Sequence, residues 1–352
     1  MTTATQSTAA QPSGDPDVRA IAEHSPVLRW LGASGTWVLL LDITLILFFG
    51  LVSAHHVFWS SQNFQALALE ASAGLLLALG MSMLLGAGLF DLSVGANLVL
   101  SSVAGAEVMQ HIAGPDGTSN VMLAIVAGLL VCLAVGLVYG FVNGFIIEIL
   151  HVNSLITTLG TLGIGSGIAL LITNGADISG LPTQIQSGFA FRGIADVPLP
   201  ALLALAVAGV LWYVLRYTRY GLRTLAIGSS LPSAERAGLR VRQHRISLAM
   251  LCGLLAGLAG FVSLADFSST TVNGHTNDAL GAITAVVIGG TLLEGGRVRI
   301  LGTVWGAVLA IVLTGGLVIL GAQSFYQLIL VGAVLIFAVA LDRFNFKRRE
   351  SR

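Results

Sequence analysis

Three observations predict an all-α polytopic membrane fold of about ten transmembrane helices. Hydrophobic residues make up 55% of the chain and charged ones only 10%. Apolar runs approach the roughly 20 residues that a helical span requires, and they recur along the whole sequence. The basic residues gather in a few of the connections between those runs, and hold both termini on the cytoplasmic side.

Residues 1–35 are polar and rich in small side chains, and read as a disordered cytoplasmic extension. Ten spans then follow at about Trp37 to Ser53, Leu67 to Gly86, Leu92 to Met109, Val121 to Val142, Leu155 to Ile172, Val197 to Leu215, Ile246 to Ala265, Ala279 to Leu293, Ile300 to Leu320 and Ser324 to Leu341. Together they form a membrane domain over 36–342, and residues 343–352 form a basic tail. The 43 glycines recur inside the apolar runs, where small residues let helices approach closely.

The segment from Arg216 to Arg245 orients the whole chain. It holds seven of the 17 Lys and Arg residues, against Glu235 alone on the acidic side. Arginine crosses hydrocarbon at high cost, so this loop stays cytoplasmic, as do Glu294 to Arg299 and the tail. The outer connections at 54–66, 113–120, 173–196 and 266–278 carry one basic residue besides histidine, Arg192. Inside the basic segment a short helix is expected from Leu231 to Ala237: Ser230 caps it, Pro232 suits its first turn, Glu235 favours the positive end of the helix dipole, and Gly238 ends it.

Several functions are disfavoured. Formal net charge is zero, so nothing draws the chain to nucleic acid. Cys132 and Cys252 both fall in apolar runs and suggest neither a disulfide framework nor a metal site. The single lysine, Lys347, lies in the tail, so no GxxxxGK[ST] phosphate loop exists and any driving ATPase is a separate chain. The seven histidines form no HExxH pair, and no nucleophile, base and metal converge; no catalytic residue and no cofactor of its own is expected.

Two stretches are irregular for spanning helices, GAGLFDLSVG over 86–95 and GGTLLEGG over 289–296. Superposing them pairs Gly86 with Gly289, Leu89 with Leu292 and Asp91 with Glu294. Short Gly-broken segments of this kind line the working region of transporters. Asp91 and Ser93 are candidates for the substrate path, alongside the alternative that they cap a helix. Further polar candidates are Asn143, Asn153, Thr157, Thr158, Thr161, Thr173 and Asn174, which in a membrane also serve to join helices. Asp42 and Glu70 fall in or beside apolar runs and are candidates for facing the bundle interior.

These segments resemble the membrane permease subunits of bacterial monosaccharide importers of the ATP-binding cassette type, the ribose, xylose and autoinducer-2 class. GLFDLSVGANLVL is similar to a Gly-Ile-Asp-Leu-Ser-Val-Gly block, with Phe90 in place of Ile. VNSLITTLGTLGIGSGIALLITNG, YGLRTLAIGSSLPSAERAGLRV and ITAVVIGGTLLEGGRVRILGTVWGAVL resemble three further blocks in the family's order. Asn153, Ser154, Leu155, Ser230, Arg236, Arg297 and Arg299 depart from the usual pattern.

The resemblance implies a multi-pass permease of the bacterial cytoplasmic membrane. It implies a separate ATPase that binds ATP and Mg, a periplasmic or extracellular sugar-binding protein, and a second permease chain, identical or different. Ser230, Ser233, Ala234, Glu235, Arg236 and Gly238 would form the element that seats in the ATPase; the outer connection from Asn174 to Val197, the longest on its side, would help receive the binding protein, with Arg192, the sole external basic residue besides histidine, as its docking candidate. A branched-chain amino acid or nucleoside permease of the same superfamily, or an ion-coupled carrier acting alone, are the alternatives.

Overall fold

The computed structural model describes residues 34–333 except 115, 195, 324, 327, 328 and 331, and does not describe the side chains of 34–37, 55 and 56. All but the last two residues of the expected extension, the basic tail and most of the tenth span lie outside the described residues.

Eleven α-helices are described. They are α1 (Ser34–Val52), α2 (Ser61–Gly86), α3 (Val94–Ala113), α4 (Val121–Ile149), α5 (Ser154–Thr173), α6 (Leu199–Tyr217), α7 (Arg219–Ser229), α8 (Leu231–Arg236), α9 (Val241–Phe267), α10 (Asp278–Ile288) and α11 (Ile300–Ile319). Six of them, α2, α4, α5, α6, α9 and α11, are long and apolar enough to cross a membrane. A single two-stranded hairpin, Gly193–Ile194 with Val197–Pro198, is the strand structure among the described residues.

Helix α3 spans 20 residues but carries Asn97, Ser101, Ser102, Glu107 and Gln110. It tolerates them because it sits in the middle of the bundle, packed on α4, α5 and α9. Asn97 is fully buried there, and its amide reaches the carbonyls of Gly253 at 3.2 Å and Gly136 at 3.5 Å. Those two glycines face each other across α4 and α9: a methyl on Gly136 would come within 2.4 Å of the Gly253 carbonyl. The seam therefore depends on both lacking a side chain, and Asn97 satisfies carbonyls that hydrocarbon cannot.

The outer surfaces of α4, α5 and α6 expose Met122, Leu130, Ile156, Leu171, Leu205 and Val210, an apolar belt suited to lipid. Trp212, Tyr213 and Tyr217 near the end of α6, and Trp59 at the opposite end of the bundle, are also exposed, as amphipathic aromatics are at membrane interfaces.

Several helix boundaries differ from the sequence reading. Helix α4 continues to Ile149 because Glu148 finds a partner, and α9 begins at Val241 because Arg245 is that partner. The segment expected as a basic loop is mostly helical, as α7, α8 and the first turn of α9. Helix α10 stops at Ile288, five residues short of the expected Leu293, since Gly290, Gly295 and Gly296 take positive φ values and turn the chain. The stretch 174–196, read as an open connection, contains a π-helical turn at Gln186–Ala190 and folds down on α9, with the Gln186 side chain bound to the Asp266 carbonyl at 2.7 Å.

Candidate functional site

At the end of the bundle that carries the basic segment, the two irregular stretches meet. The amide of Gly296 donates to the carbonyl of Gly86 at 3.1 Å. Gly228 of α7 closes over this contact: a methyl at Gly228 would lie 2.0 Å from the Gly86 oxygen and 2.4 Å from the Gly296 nitrogen. The side chain of Thr291 accepts from the Arg299 amide at 3.1 Å and pins the base of the second break.

Asp91 lies beside the first break and is buried. One of its oxygens accepts the Ser93 amide at 2.8 Å and the Ser93 hydroxyl, and the other accepts from the Asn143 amide at 3.3 Å. Asn143 also donates to Ser93 at 2.9 Å, so three of the candidates from sequence converge on one cluster that ties α3 to α4. One turn before Asn143 on α4, Tyr139 donates its hydroxyl to the Thr161 carbonyl and so ties α4 to α5. The Asn143 side-chain oxygen has no partner among the described residues.

The remaining candidates are placed differently. Thr158, Thr161 and Thr173 bond carbonyls of their own helix, Asn153 caps α5 through the Leu155 amide, and Asn174 ends α5 in a left-handed turn. The Thr157 hydroxyl is buried without a partner among the described residues.

The opposite end of the bundle holds a half-open cavity of about 690 Å³. Its walls are the first half of α2, the last turn of α9, the first two turns of α10 and the second half of α11. Polar residues line it from every wall: Glu70 from α2, Asp266 from α9, His275 with Asp278 around the start of α10, and Thr314 from α11. His275 is tied down at both ring nitrogens, by Asp278 at 2.7 Å and by Thr271 at 2.9 Å and Ser263 at 3.1 Å. Phe191, from the folded stretch beside Arg192, supplies an aromatic face. Between the cavity and the first break, Leu76, Leu77, Leu79, Met81, Met83 and Leu84 of α2 are buried.

Glu70 is the one cavity residue the sequence reading flagged; Asp266, His275 and Asp278 were missed. They fall at a span end and in a connection, where charged residues are ordinary, and only the fold brings them together.

On the basic side, α8 is a single capped helix. Ser230 accepts the Ser233 amide at 3.4 Å, Arg236 donates to the Ser233 hydroxyl at 3.2 Å, and Gly238 has φ of 77°. Ala234 is buried while Ser233, Glu235, Arg236 and Gly238 stand in solvent. Arg216, Arg219, Arg223, Arg236, Arg240 and Arg242 are exposed, and Arg245 pairs with Glu148 at 2.8 Å. Glu235 is within electrostatic reach of that pair. Helix α7 is held to α9 by Tyr220, which bonds Ser247 at 2.9 Å, and by Thr224, which bonds His244 at 2.8 Å. Burial pushes the Tyr220 hydroxyl above its ordinary pKa, against the opposing hydrogen bond from Ser247, so this tie stays neutral.

A helical bundle with an apolar belt, a polar cavity at one end and two glycine breaks locked under a basic helical segment at the other defines a multi-pass membrane permease. Residues 63–339 match the family described as branched-chain amino acid transport system / permease component, and the chain belongs to that family. It is similar to the ribose import permease protein RbsC of Escherichia coli (strain K12), 33% identical over 81% of this chain and 87% of that one. It is 33% identical to the D-allose transport system permease protein AlsC of the same strain, over 88% and 91% of the two chains. The galactose/methyl galactoside import permease protein MglC of Salmonella typhimurium (strain LT2) is 31% identical over 92% and 97%. No solved structure matches the chain.

Proposed function

We propose that this chain is the membrane permease subunit of a monosaccharide importer of the bacterial cytoplasmic membrane, worked by ATP and Mg bound on a partner ATPase. The observation that carries this reading is the opposition of two ends: a polar cavity faces one side, and two glycine breaks are locked beneath α7 on the other. The similarity to ribose, allose and galactose permeases supports a sugar over a branched-chain amino acid.

In this reading the chain crosses the membrane about ten times with both termini in the cytoplasm, because six exposed arginines mark the α7–α8 side. The chain pairs with a second permease chain, and a sugar-binding protein docks near the cavity, where Arg192 is exposed. Closure of the ATPases pushes on α8, and α7 carries the push to Gly86 and Gly296 through Gly228. Asp91, Ser93 and Asn143 brace the closed end of the path and hold α3 against α4 as it opens. Alternating access is then an equilibrium biased from another subunit.

Uptake of labelled ribose, allose and galactose by cells lacking their own importers tests this. Expression of this chain with its cognate ATPase and binding protein should give uptake of at least one of them, abolished when the ATPase is omitted. Uptake that persists without any ATPase would make the chain an ion-coupled carrier instead.

A further inference from the structure

The lining of the cavity is unusual in its charge. Glu70, Asp266 and Asp278 approach from three different helices, with Glu70 within electrostatic reach of the other two, and His275 is the one cation-forming side chain among the described residues that face it. Asp278 is engaged by His275, but the carboxylates of Glu70 and Asp266 make no hydrogen bond or ion pair among the described residues. Two free acidic acceptors therefore point into a space of a size that holds a small solute, beside hydroxyls on Ser263 and Thr271 and the ring of Phe191.

Resting on the importer reading above, we propose that this cavity holds the sugar during transfer and acts as a charge filter, admitting uncharged or cationic polyhydroxylated solutes and refusing sugar acids and sugar phosphates. Carboxylates suit sugar hydroxyls because each oxygen accepts from an O–H donor, and such charge-assisted bonds are about twice as strong as neutral ones. An anion entering the same space meets up to three like charges at short range, in a setting less polar than water, and finds no arginine or lysine to pair with. The filter thus follows from the lining itself and acts whatever the docked receptor delivers.

A cysteine reporter tests the filter without the receptor. Gly281 lines the cavity, and a side chain there would meet nothing within 4 Å, so Gly281→Cys is tolerated; native Cys132 and Cys252 are buried and serve as the unreactive background. Purified permease in detergent or nanodiscs would be treated with methanethiosulfonate reagents bearing either a trimethylammonium or a sulfonate group. The ammonium reagent should modify Gly281→Cys about tenfold faster or more, relative to the two rates on a free thiol. Adding Glu70→Gln and Asp266→Asn should bring the two rates together. Equal rates in the unaltered lining, or a preference that survives both neutral substitutions, would overturn the inference.

Uptake separates this outcome from failure of the importer reading. If none of the three sugars is taken up, the importer reading falls. If sugar uptake proceeds and is unchanged by Asp266→Ala and Glu70→Ala at equal membrane level, the holding site falls alone; at least a tenfold loss is expected, with partial recovery in Asp266→Asn.

Discussion

Gly296 donates its amide to the Gly86 carbonyl across 3.1 Å, joining chain breaks that lie more than two hundred residues apart in sequence. Both residues are held by a third, Gly228, whose missing side chain lets α7 lie directly on the contact. The contact of α7 with both breaks is therefore backbone on backbone, with no flexible side chain in between.

Gly228→Ala should uncouple the permease. The added methyl would overlap backbone atoms on both breaks, and overpacking of this kind costs about 1–3 kcal/mol. Since the clash is with backbone, α7 must lift away. Membrane level should be near normal while uptake falls at least tenfold; unchanged uptake per inserted molecule would show that α7 does not transmit through this contact.

The Asp91 cluster makes a separate prediction. Asp91→Ala strands the Ser93 amide and hydroxyl and one bond of Asn143 in a buried setting, at about 1–3 kcal/mol for each group left unsatisfied. Asp91→Asn keeps the acceptor toward Ser93 and should lose less. Thermal unfolding of the purified protein should rank wild type above Asn above Ala, with uptake in the same order. Equal stability of the three would reduce Asp91 to a dispensable cap.

The pair formed by Glu148 and Arg245 joins the ends of α4 and α9 next to α8. Removing one partner leaves the other charged and largely shielded from water, which costs roughly 3–5 kcal/mol for a buried pair and less here, where both groups keep some exposure. Arg245→Gln alone should therefore lower the unfolding temperature more than the double change Glu148→Gln with Arg245→Gln. A double variant less stable than the single would show that Glu148, left without Arg245, carries no such penalty.

How much of this was readable beforehand differs by element. The basic segment, the α8 cap at Ser230 and the turn at Gly238 were legible because they rest on local chemistry within a few residues. So were the two breaks, whose glycines interrupt apolar runs. The meeting of those breaks was not, because a 3.1 Å contact between Gly86 and Gly296 depends on the packing of α2, α7 and α10. The cavity was hidden for the same reason: Glu70 stood out as an acid in an apolar run, but Asp266 and Asp278 are ordinary helix-end residues until α2, α9 and α10 are set side by side. Composition also could not tell which α5 hydroxyls bond their own helix, as Thr158 and Thr161 do, and which stay unpartnered among the described residues, as Thr157 does.

Helix α8 offers the most direct test of coupling to the ATPase. Six residues are too few to be stable alone, since nucleation is costly, so α8 relies on its Ser230 cap, on buried Ala234 and on whatever docks against its exposed face. The Ala234 amide donates to the Ser230 carbonyl at 3.0 Å, the first backbone bond of the helix's interior. Ala234→Pro deletes that donor and crowds the preceding turn, at about 3 kcal/mol in a helix interior. The position lies far from the apolar belt, so insertion and the fold of α9 and α11 should persist. Co-purification of the ATPase and sugar-stimulated hydrolysis should both fall at least tenfold. A proline variant that still binds the ATPase and transports at the wild-type rate would make the arginine-rich segment an anchor for topology alone, and would move the site of coupling elsewhere on the basic face.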